Sequence, residues 1–262
     1  MRNIVKSLSH DVRRDFVVYI SVLLAIVLPV AALAIDEVFS DTGINAGNLF
    51  QMGGQVQAVL FLFLDIVVVC RIAGRDFNDK TISYERLSGH SYLEVYAARC
   101  VVALGTVVCC YGICFGLPLG VYTIMYGWGE NVSFWGVVFR LLVTLVPIMR
   151  HASFLCCLTF LMRNQYLAML TGYLLGFFPS MVFMVLKELL EWNTTFYMAY
   201  IHVLEWMTIE NGRIGYVNGE DLMVYATAIP TKELIIGILV AGTAVIGYLV
   251  LGYVIFRKRD FK

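Results

Sequence analysis

The sequence predicts an all-α integral membrane protein that crosses the bilayer six times. Of its 262 residues, 60% are hydrophobic and only 15% are charged, whereas soluble proteins carry about 25% charged residues. A core built from a chain of this length cannot bury so much apolar surface, but lipid can cover it. Six apolar runs are long enough, at roughly 20 residues each, to span the bilayer as helices. The basic residues concentrate on one side of these runs.

The six runs define the predicted spans of a single transmembrane domain, residues 1–262. They are continuous rather than alternating, which favours helices over the strands of a barrel. The third run is longer than one straight span needs, and the fourth is interrupted by Arg140, Pro147 and Arg150. The predicted transmembrane helices are 16–35, 56–73, 95–126, 134–162, 166–186 and 234–256.

The distribution of positive charge predicts the orientation. Fourteen of the 19 lysine and arginine residues lie in four places: before the first span, in and around the loop between the second and third spans, in the turn after the fourth span, and after the sixth span. The loops 36–55 and 127–133, on the other side, contain none. Positive residues mark the cytoplasmic side of a membrane protein. Both termini are therefore predicted to be cytoplasmic, as an even number of spans requires.

Two cytoplasmic segments outside the spans are predicted to have structure of their own. Residues 1–15 repeat apolar side chains at a spacing of four, with basic residues opposite, which indicates an amphipathic helix lying in the membrane interface. The polar loop 76–90 is the largest cytoplasmic feature. Within it, residues 81–87 fit a short helix that Gly89 ends.

The segment 187–232 is too polar to span and is predicted to form an external helical segment. Its aromatic residues are typical of interfacial or re-entrant helices. The pairs Asn211-Gly212 and Asn218-Gly219 predict turns within it.

No motif for catalysis or cofactor binding occurs in the chain. It has no phosphate-binding GxxxxGK[ST] loop, no HExxH and no GxSxG. Its seven cysteines lie in apolar runs and form no CxxC pair, so neither a metal site nor a disulfide framework is predicted. The net charge of zero gives no field that would attract nucleic acid. The chain is expected to be neither an enzyme nor a binder of metal or cofactor.

Charged residues inside the spans are the candidates for a translocation path. A charge at mid-membrane is costly unless it is paired or hydrated. At about 1.5 Å per residue, Asp65 lies roughly 12 Å from the cytoplasmic end of its span and Arg150 roughly 18 Å. These depths predict that Asp65 and Arg150 pair, or that both line a polar cavity, with His151 beside them. A purely structural role for these three residues is the alternative.

This layout resembles the permease subunit of type-2 ABC transporters over the whole chain. The text KTISYERLSGHSYLEVYAARC is similar to that family's entry into the third span, with Lys80 where glycine is usual and Arg99 as the basic residue. The tail FRKRDFK, Phe256 to Lys262, is of the same kind. Among these permeases, the chain is most similar in length to bacterial peptide exporters of the phenol-soluble modulin and lantibiotic-immunity types.

The resemblance implies a mechanism and a set of partners. Two permease chains, expected as a homodimer in the bacterial plasma membrane, would each dock one separate ATPase subunit, and ATP and Mg²⁺ would bind only there. The segment 76–90 would be the coupling helix, and motion of the ATPases would reshape a path for amphipathic peptides or hydrophobic compounds. The implied ATPase-coupling residues are Phe77, Ile82, Tyr84, Glu85 and Arg86.

Two other readings of the sequence remain open. One is a secondary transporter or channel that works without ATP, for which Asp65 is the clearest coupling group. The other is a membrane scaffold without transport activity, or an intramembrane enzyme.

Overall fold

The computed structural model describes most of the chain as one predominantly helical bundle. The described residues are 1–40, 46–78, 81–130, 132–190, 196–208, 212–217, 220–225 and 229–258. The tail 259–262, Lys80 and the pair Asn218-Gly219, named above, lie outside them. The helices are α1 (Arg2–Val12), α2 (Phe16–Ser40), α3 (Ala46–Asn78), α4 (Thr81–Leu87), α5 (Tyr92–Tyr126), α6 (Phe134–Met162), α7 (Gln165–Leu190), α8 (Ala199–Met207) and α9 (Thr231–Lys258).

Among the described residues, five helices are long and apolar enough to cross a membrane: Gly53–Phe77 within α3, α5, α6, Gln165–Phe183 within α7, and α9. In α2, the described side chains form a shorter apolar stretch, Phe16–Leu28. The prediction of a mainly helical, multi-pass membrane protein is therefore confirmed. α6 covers the same residues as the run predicted at 134–162.

Local signals explain where two of the long helices begin. Ser91 caps α5, because its side chain accepts a hydrogen bond from the Glu94 amide while the Glu94 carboxylate accepts one from the Ser91 amide. Such reciprocal bonds satisfy two amides that a helix start otherwise leaves unpaired. Ser133 caps α6 with a single hydrogen bond, which its side chain accepts from the Gly136 amide. α6 ends at Arg163, which takes a left-handed conformation with φ of 53°.

The basic ends of the helices lie together at one end of the bundle. Asp15, at the start of α2, bonds to Arg71 near the end of α3. The amino terminus of α1 lies 3.4 Å from Glu94 in the first turn of α5. α1 buries Ile4 and Leu8 against the bundle, as its amphipathic pattern predicts. At the opposite end, the amides of Ala46 and Gly47 bond to carbonyls of Gly127 and Trp128.

The segment between α7 and α9 differs from an all-helical external region. Its described residues form one helix, α8, and an antiparallel pair of strands, β1 (Gly212–Val217) and β2 (Glu220–Tyr225). The strands flank Asn218-Gly219, a dipeptide that favours tight hairpin turns. Chain segments on either side of this sequence can therefore pair locally, which explains why strands replace part of the predicted helical segment.

α8 packs inside the bundle rather than on its surface. It lies against α6 and α3 and buries nearly its whole circumference, including Ile201, Leu204 and Met207. Apart from His202 and Glu205, its residues are apolar or aromatic, and a helix that is apolar on nearly all sides is stable when it is buried. The segment 196–208, called the re-entrant segment below, thus lies inside the bundle and follows α7 and precedes α9 in the chain.

Candidate functional site

The short helix α4 is fixed to the bundle by one buried arginine. The Arg99 guanidinium, which is fully buried, donates to Asp76 Oδ2 at 2.6 Å and to Glu85 Oε2 at 2.8 Å. Asp76 belongs to the last turns of α3, Glu85 to α4 and Arg99 to α5. Two carboxylates around one guanidinium therefore connect three helices at the basic end. Charge-assisted hydrogen bonds of this kind are stronger and more directional than neutral ones.

The two faces of α4 have opposite roles. Ile82 is only 1% exposed and anchors the helix inward, whereas Tyr84 is 70% and Leu87 83% exposed. In seven residues, α4 thus presents an apolar tip to its surroundings while its other face is held to the bundle.

The five predicted coupling residues do not share one surface. Tyr84 faces outward, whereas Ile82 is buried and Glu85 is bonded to Arg99. Phe77 packs inside the bundle, and the side chain of Arg86 lies outside the described part of the structure. The sequence pattern missed the exposed position of Leu87 and the role of Arg99 as the anchor.

An aromatic cluster joins the end of α3, just before α4 in the chain, to three other helices. The Phe77 ring meets Phe160 of α6 at a centroid distance of 5.6 Å, and Phe160 meets Phe256 of α9 at 5.2 Å and Tyr96 of α5 at 4.7 Å. Tyr92 contacts Phe256 at 5.9 Å. Packed aromatic rings transmit displacement because a close-packed interior deforms little. Movement of α4 and the end of α3 would therefore reach α5, α6 and α9.

Asp65 and His151 form a polar pair deep in the bundle. His151 Nδ1 lies 2.8 Å from Asp65 Oδ2, and both residues are buried. The pair joins α3 to α6. The predicted pairing of Asp65 with Arg150 is therefore wrong: similar depth did not determine which of two adjacent residues on α6 faces α3.

Arg150 instead holds the re-entrant segment. Its two terminal nitrogens donate to the carbonyls of Phe196 and Tyr197 at 3.0 and 2.9 Å. Arg140, about 15 Å nearer the start of α6, donates to the carbonyls of Trp206 and Thr208. These carbonyls belong to non-helical backbone before α8 and to the last turn of α8, where intrahelical partners are missing. The two arginines thus satisfy backbone groups that lipid could not.

A cavity of about 250 Å³ lies between α6, α7, α9 and the start of the re-entrant segment. Arg150 and His151 form part of its wall, and the remaining lining is mostly apolar, including Phe154, Leu175 and Tyr200. Asp65 lines a different, smaller space between α2, α3 and α5. Among the described residues, Asp65 and Arg150 therefore line two different spaces, and the alternative prediction of one shared polar cavity is wrong as well.

Metal-binding geometry is absent from the described residues, where no group of three or more His, Cys, Asp or Glu side chains could hold an ion. Cys100 and Cys156 contact each other as buried free thiols of α5 and α6.

Comparison with models of known protein families and with curated proteins found no match. The chain is a predominantly helical, multi-pass membrane protein, and its function is argued below from the arrangement of its own residues.

Proposed function

We propose that this chain is the transmembrane permease subunit of an ATP-driven exporter in a bacterial plasma membrane. Its six spans would place both termini, α1 and α4 in the cytoplasm, where the basic residues concentrate. A separate ATPase subunit would supply the energy, since the chain has no phosphate-binding loop of its own. The exported molecules would be amphipathic peptides or hydrophobic compounds.

The observation that carries this proposal is how α4 is held to the bundle and which of its side chains are exposed. A helix of seven residues gains little stability by itself, yet α4 is clamped to α3 and α5 through Arg99. It leaves an apolar tip, Tyr84 and Leu87, exposed on the basic side of the bundle. A firmly held projection with an apolar tip is suited to receive force from a second protein and to pass it inward.

The aromatic cluster supports the same function. It connects the ends of α3 and α5, on either side of α4, with α6 and α9. A push on α4 would therefore tilt several helices together instead of bending one loop. Such a rigid-body shift is a common way to convert an effector's binding into a change at a distant site.

A second copy of the chain is part of the proposal. On α5, Gly112, Gly116 and Gly120 are spaced by four residues, and a Cβ atom at any of them would meet nothing within 4 Å. Close approach of another helix along small residues is typical of association in lipid. The stripe supports pairing of two permeases, with the path for cargo between them.

The test removes the apolar tip of α4. The double variant Tyr84→Ala, Leu87→Ala is expected to reduce co-purification of the ATPase subunit at least tenfold, because aromatic and apolar anchors dominate such interfaces. The measurement is the ratio of ATPase to permease after affinity purification of the tagged full chain from its own host's membranes.

The matched control is Tyr166→Ala, Leu167→Ala. These residues are also exposed, at 65% and 47%, and start α7 after the cytoplasmic turn at Arg163, outside α4. This control should retain the ATPase. Equal retention by both double variants would refute the role of α4 in docking.

The buried Asp65–His151 pair favours a second candidate, a proton-driven secondary transporter. Ionisable residues inside a bundle often mark proton relays. This candidate predicts cargo movement driven by a pH gradient in vesicles that contain only this chain. The permease proposal predicts none, because energy would enter through α4.

A further inference from the structure

The cavity between α6, α7, α9 and the re-entrant segment has a mixed wall. Besides apolar residues, the wall includes the hydroxyl-bearing Ser180, Tyr197, Tyr200 and Tyr248 and two nitrogen-bearing side chains, Arg150 and His151. Both side chains are more than nine-tenths buried. Binding sites for small molecules typically have this composition: mostly apolar surface with a few polar groups that fix the orientation of the ligand.

The two nitrogen-bearing side chains retain unused hydrogen-bonding atoms. Arg150 Nε and His151 Nε2 are buried and bond to no described residue. Native structures leave few buried polar atoms unpaired, because each costs free energy. His151 Nε2 also lies at the wall formed by α7: an ideal Cβ atom at Gly176 would be 3.8 Å from it. Both atoms belong to residues of the cavity wall, and neither has a described hydrogen-bond partner.

The charge at this wall selects the ligand's polar group. Arg150 carries a positive charge, its described hydrogen bonds go to two backbone carbonyls and the Tyr248 side chain, and none of the described carboxylates forms an ion pair with it. A cationic group would be repelled. A carboxylate offers two acceptor oxygens, which matches two unused nitrogens, one of them on a guanidinium. His151 suits either form of the group, because Nε2 accepts from a carboxylic acid when the ring is neutral and donates to a carboxylate when it is protonated.

The apolar lining selects the rest of the ligand. Phe154, Leu175 and the tyrosines of the re-entrant segment surround the space next to the polar wall. Leu175 is 45% exposed on the outer surface of α7, so the cavity reaches the face of the bundle that lipid covers. A volume of about 250 Å³ is slightly below the usual range for ligand sites. A cavity of this size fits the polar group of the ligand and the first part of its alkyl chain, while the rest of the alkyl chain stays in the membrane.

We propose that this cavity binds the carboxylate end of an apolar or amphipathic molecule that enters from the lipid. The inference goes beyond the permease function, because binding by the chain alone needs no ATPase. The carboxylate could belong to a free fatty acid or to the C-terminus of a membrane-associated peptide, and the experiment separates these sources.

The test measures binding of radiolabelled dodecanoate to the purified full chain in nanodiscs of zwitterionic lipid. Saturable binding is expected, and dodecylamine and dodecanol should compete at least tenfold more weakly than unlabelled dodecanoate, because each lacks the charge-assisted hydrogen bonds. A peptide arm compares an amphipathic helix bearing a free C-terminus with its amidated form as competitors. Competition by neither peptide identifies the fatty-acid source, and competition by the free-acid peptide but not by its amidated form identifies the peptide source.

A cavity-filling variant locates the site. Gly176→Leu should weaken binding at least tenfold, because its side chain would project beside His151 into the cavity. The matched control is Gly105→Leu on α5, a helix that does not line the cavity, where an added Cβ atom meets nothing within 4 Å. Size-exclusion profiles and melting temperatures confirm that both variants fold. Equal binding by the two variants, equal competition by amine and carboxylate, or no binding in either arm would overturn the proposal.

Discussion

Replacing Arg99 by methionine is expected to lower the free energy of unfolding by about 3–5 kcal/mol, the usual cost of breaking a buried ion pair from one side. Arg99 is fully buried, and Asp76 and Glu85 are mostly buried around it. Removal of the guanidinium would leave two neighbouring carboxylates without their common partner. Chemical denaturation in detergent micelles measures the change, and hydrogen exchange over 81–90 should report the release of α4.

Two controls separate the ion-pair network from the size of the side chain. Arg75→Met, at a half-exposed arginine of the same end, should change the free energy by less than about 1 kcal/mol. The triple variant Arg99→Met, Asp76→Asn, Glu85→Gln should recover part of the loss, because no uncompensated charge remains. If the triple variant were as unstable as the single one, the loss would come from packing and the proposed anchor would be wrong.

Gly237→Ala is expected to destabilise the packing of α8 against α9. A Cβ atom at Gly237 would lie 2.4 Å from Trp206 and 2.7 Å from His202 Nε2, which is closer than such atoms approach in proteins. His202 and Trp206 pack edge to face at a centroid distance of 4.2 Å, and both are buried, so neither ring can easily move. The expected cost is about 1–3 kcal/mol, the usual range for overpacking a core.

The matched control for this prediction lies on the same helix. Gly242→Ala places its Cβ atom where nothing lies within 4 Å. It should be neutral or stabilise the helix by up to about 1 kcal/mol, the difference in helix propensity between the two residues. Thermal unfolding of the two variants side by side is the measurement. A Gly237→Ala protein as stable as Gly242→Ala would show that α8 does not pack against α9 as described.

Hydropathy predicted the large elements because it depends on composition along the chain. Long apolar runs require long helices in lipid, and the run 134–162 lies between a serine that caps α6 and an arginine that ends it. The short helix α4 also follows from sequence, as does the amphipathic α1. The helix caps, α4 and α1 can be predicted because each depends on residues only a few positions apart in the sequence.

The arrangement of the site depends on rotation about helix axes, which hydropathy does not determine. Arg150 and His151 are adjacent and hence differ by about 100° around α6. Depth alone could not indicate that His151 faces Asp65 while Arg150 faces the re-entrant segment. The same limit affected α4, whose seven residues were too few to show which side chains face inward.

The hairpin and the buried position of α8 were missed for a different reason. The sequence predicts a turn at Asn218-Gly219, but the segments on either side lack the alternating pattern that would predict the strands β1 and β2. Burial of α8 depends on Arg140 and Arg150, which lie more than 45 residues away in sequence and supply the donors for its backbone. A local sequence pattern cannot indicate hydrogen bonds between a backbone carbonyl and a side chain so far away in the sequence.

The most direct test of the permease function is to reconstitute the purified chain in vesicles, with and without the ATPase that accompanies it from its host. A fluorescent amphipathic peptide serves as cargo, and either ATP or a pH gradient supplies the energy. The permease proposal predicts ATP-dependent movement only when the ATPase is present. Movement driven by the pH gradient through the chain alone would contradict it and favour the Asp65–His151 pair as the coupling site.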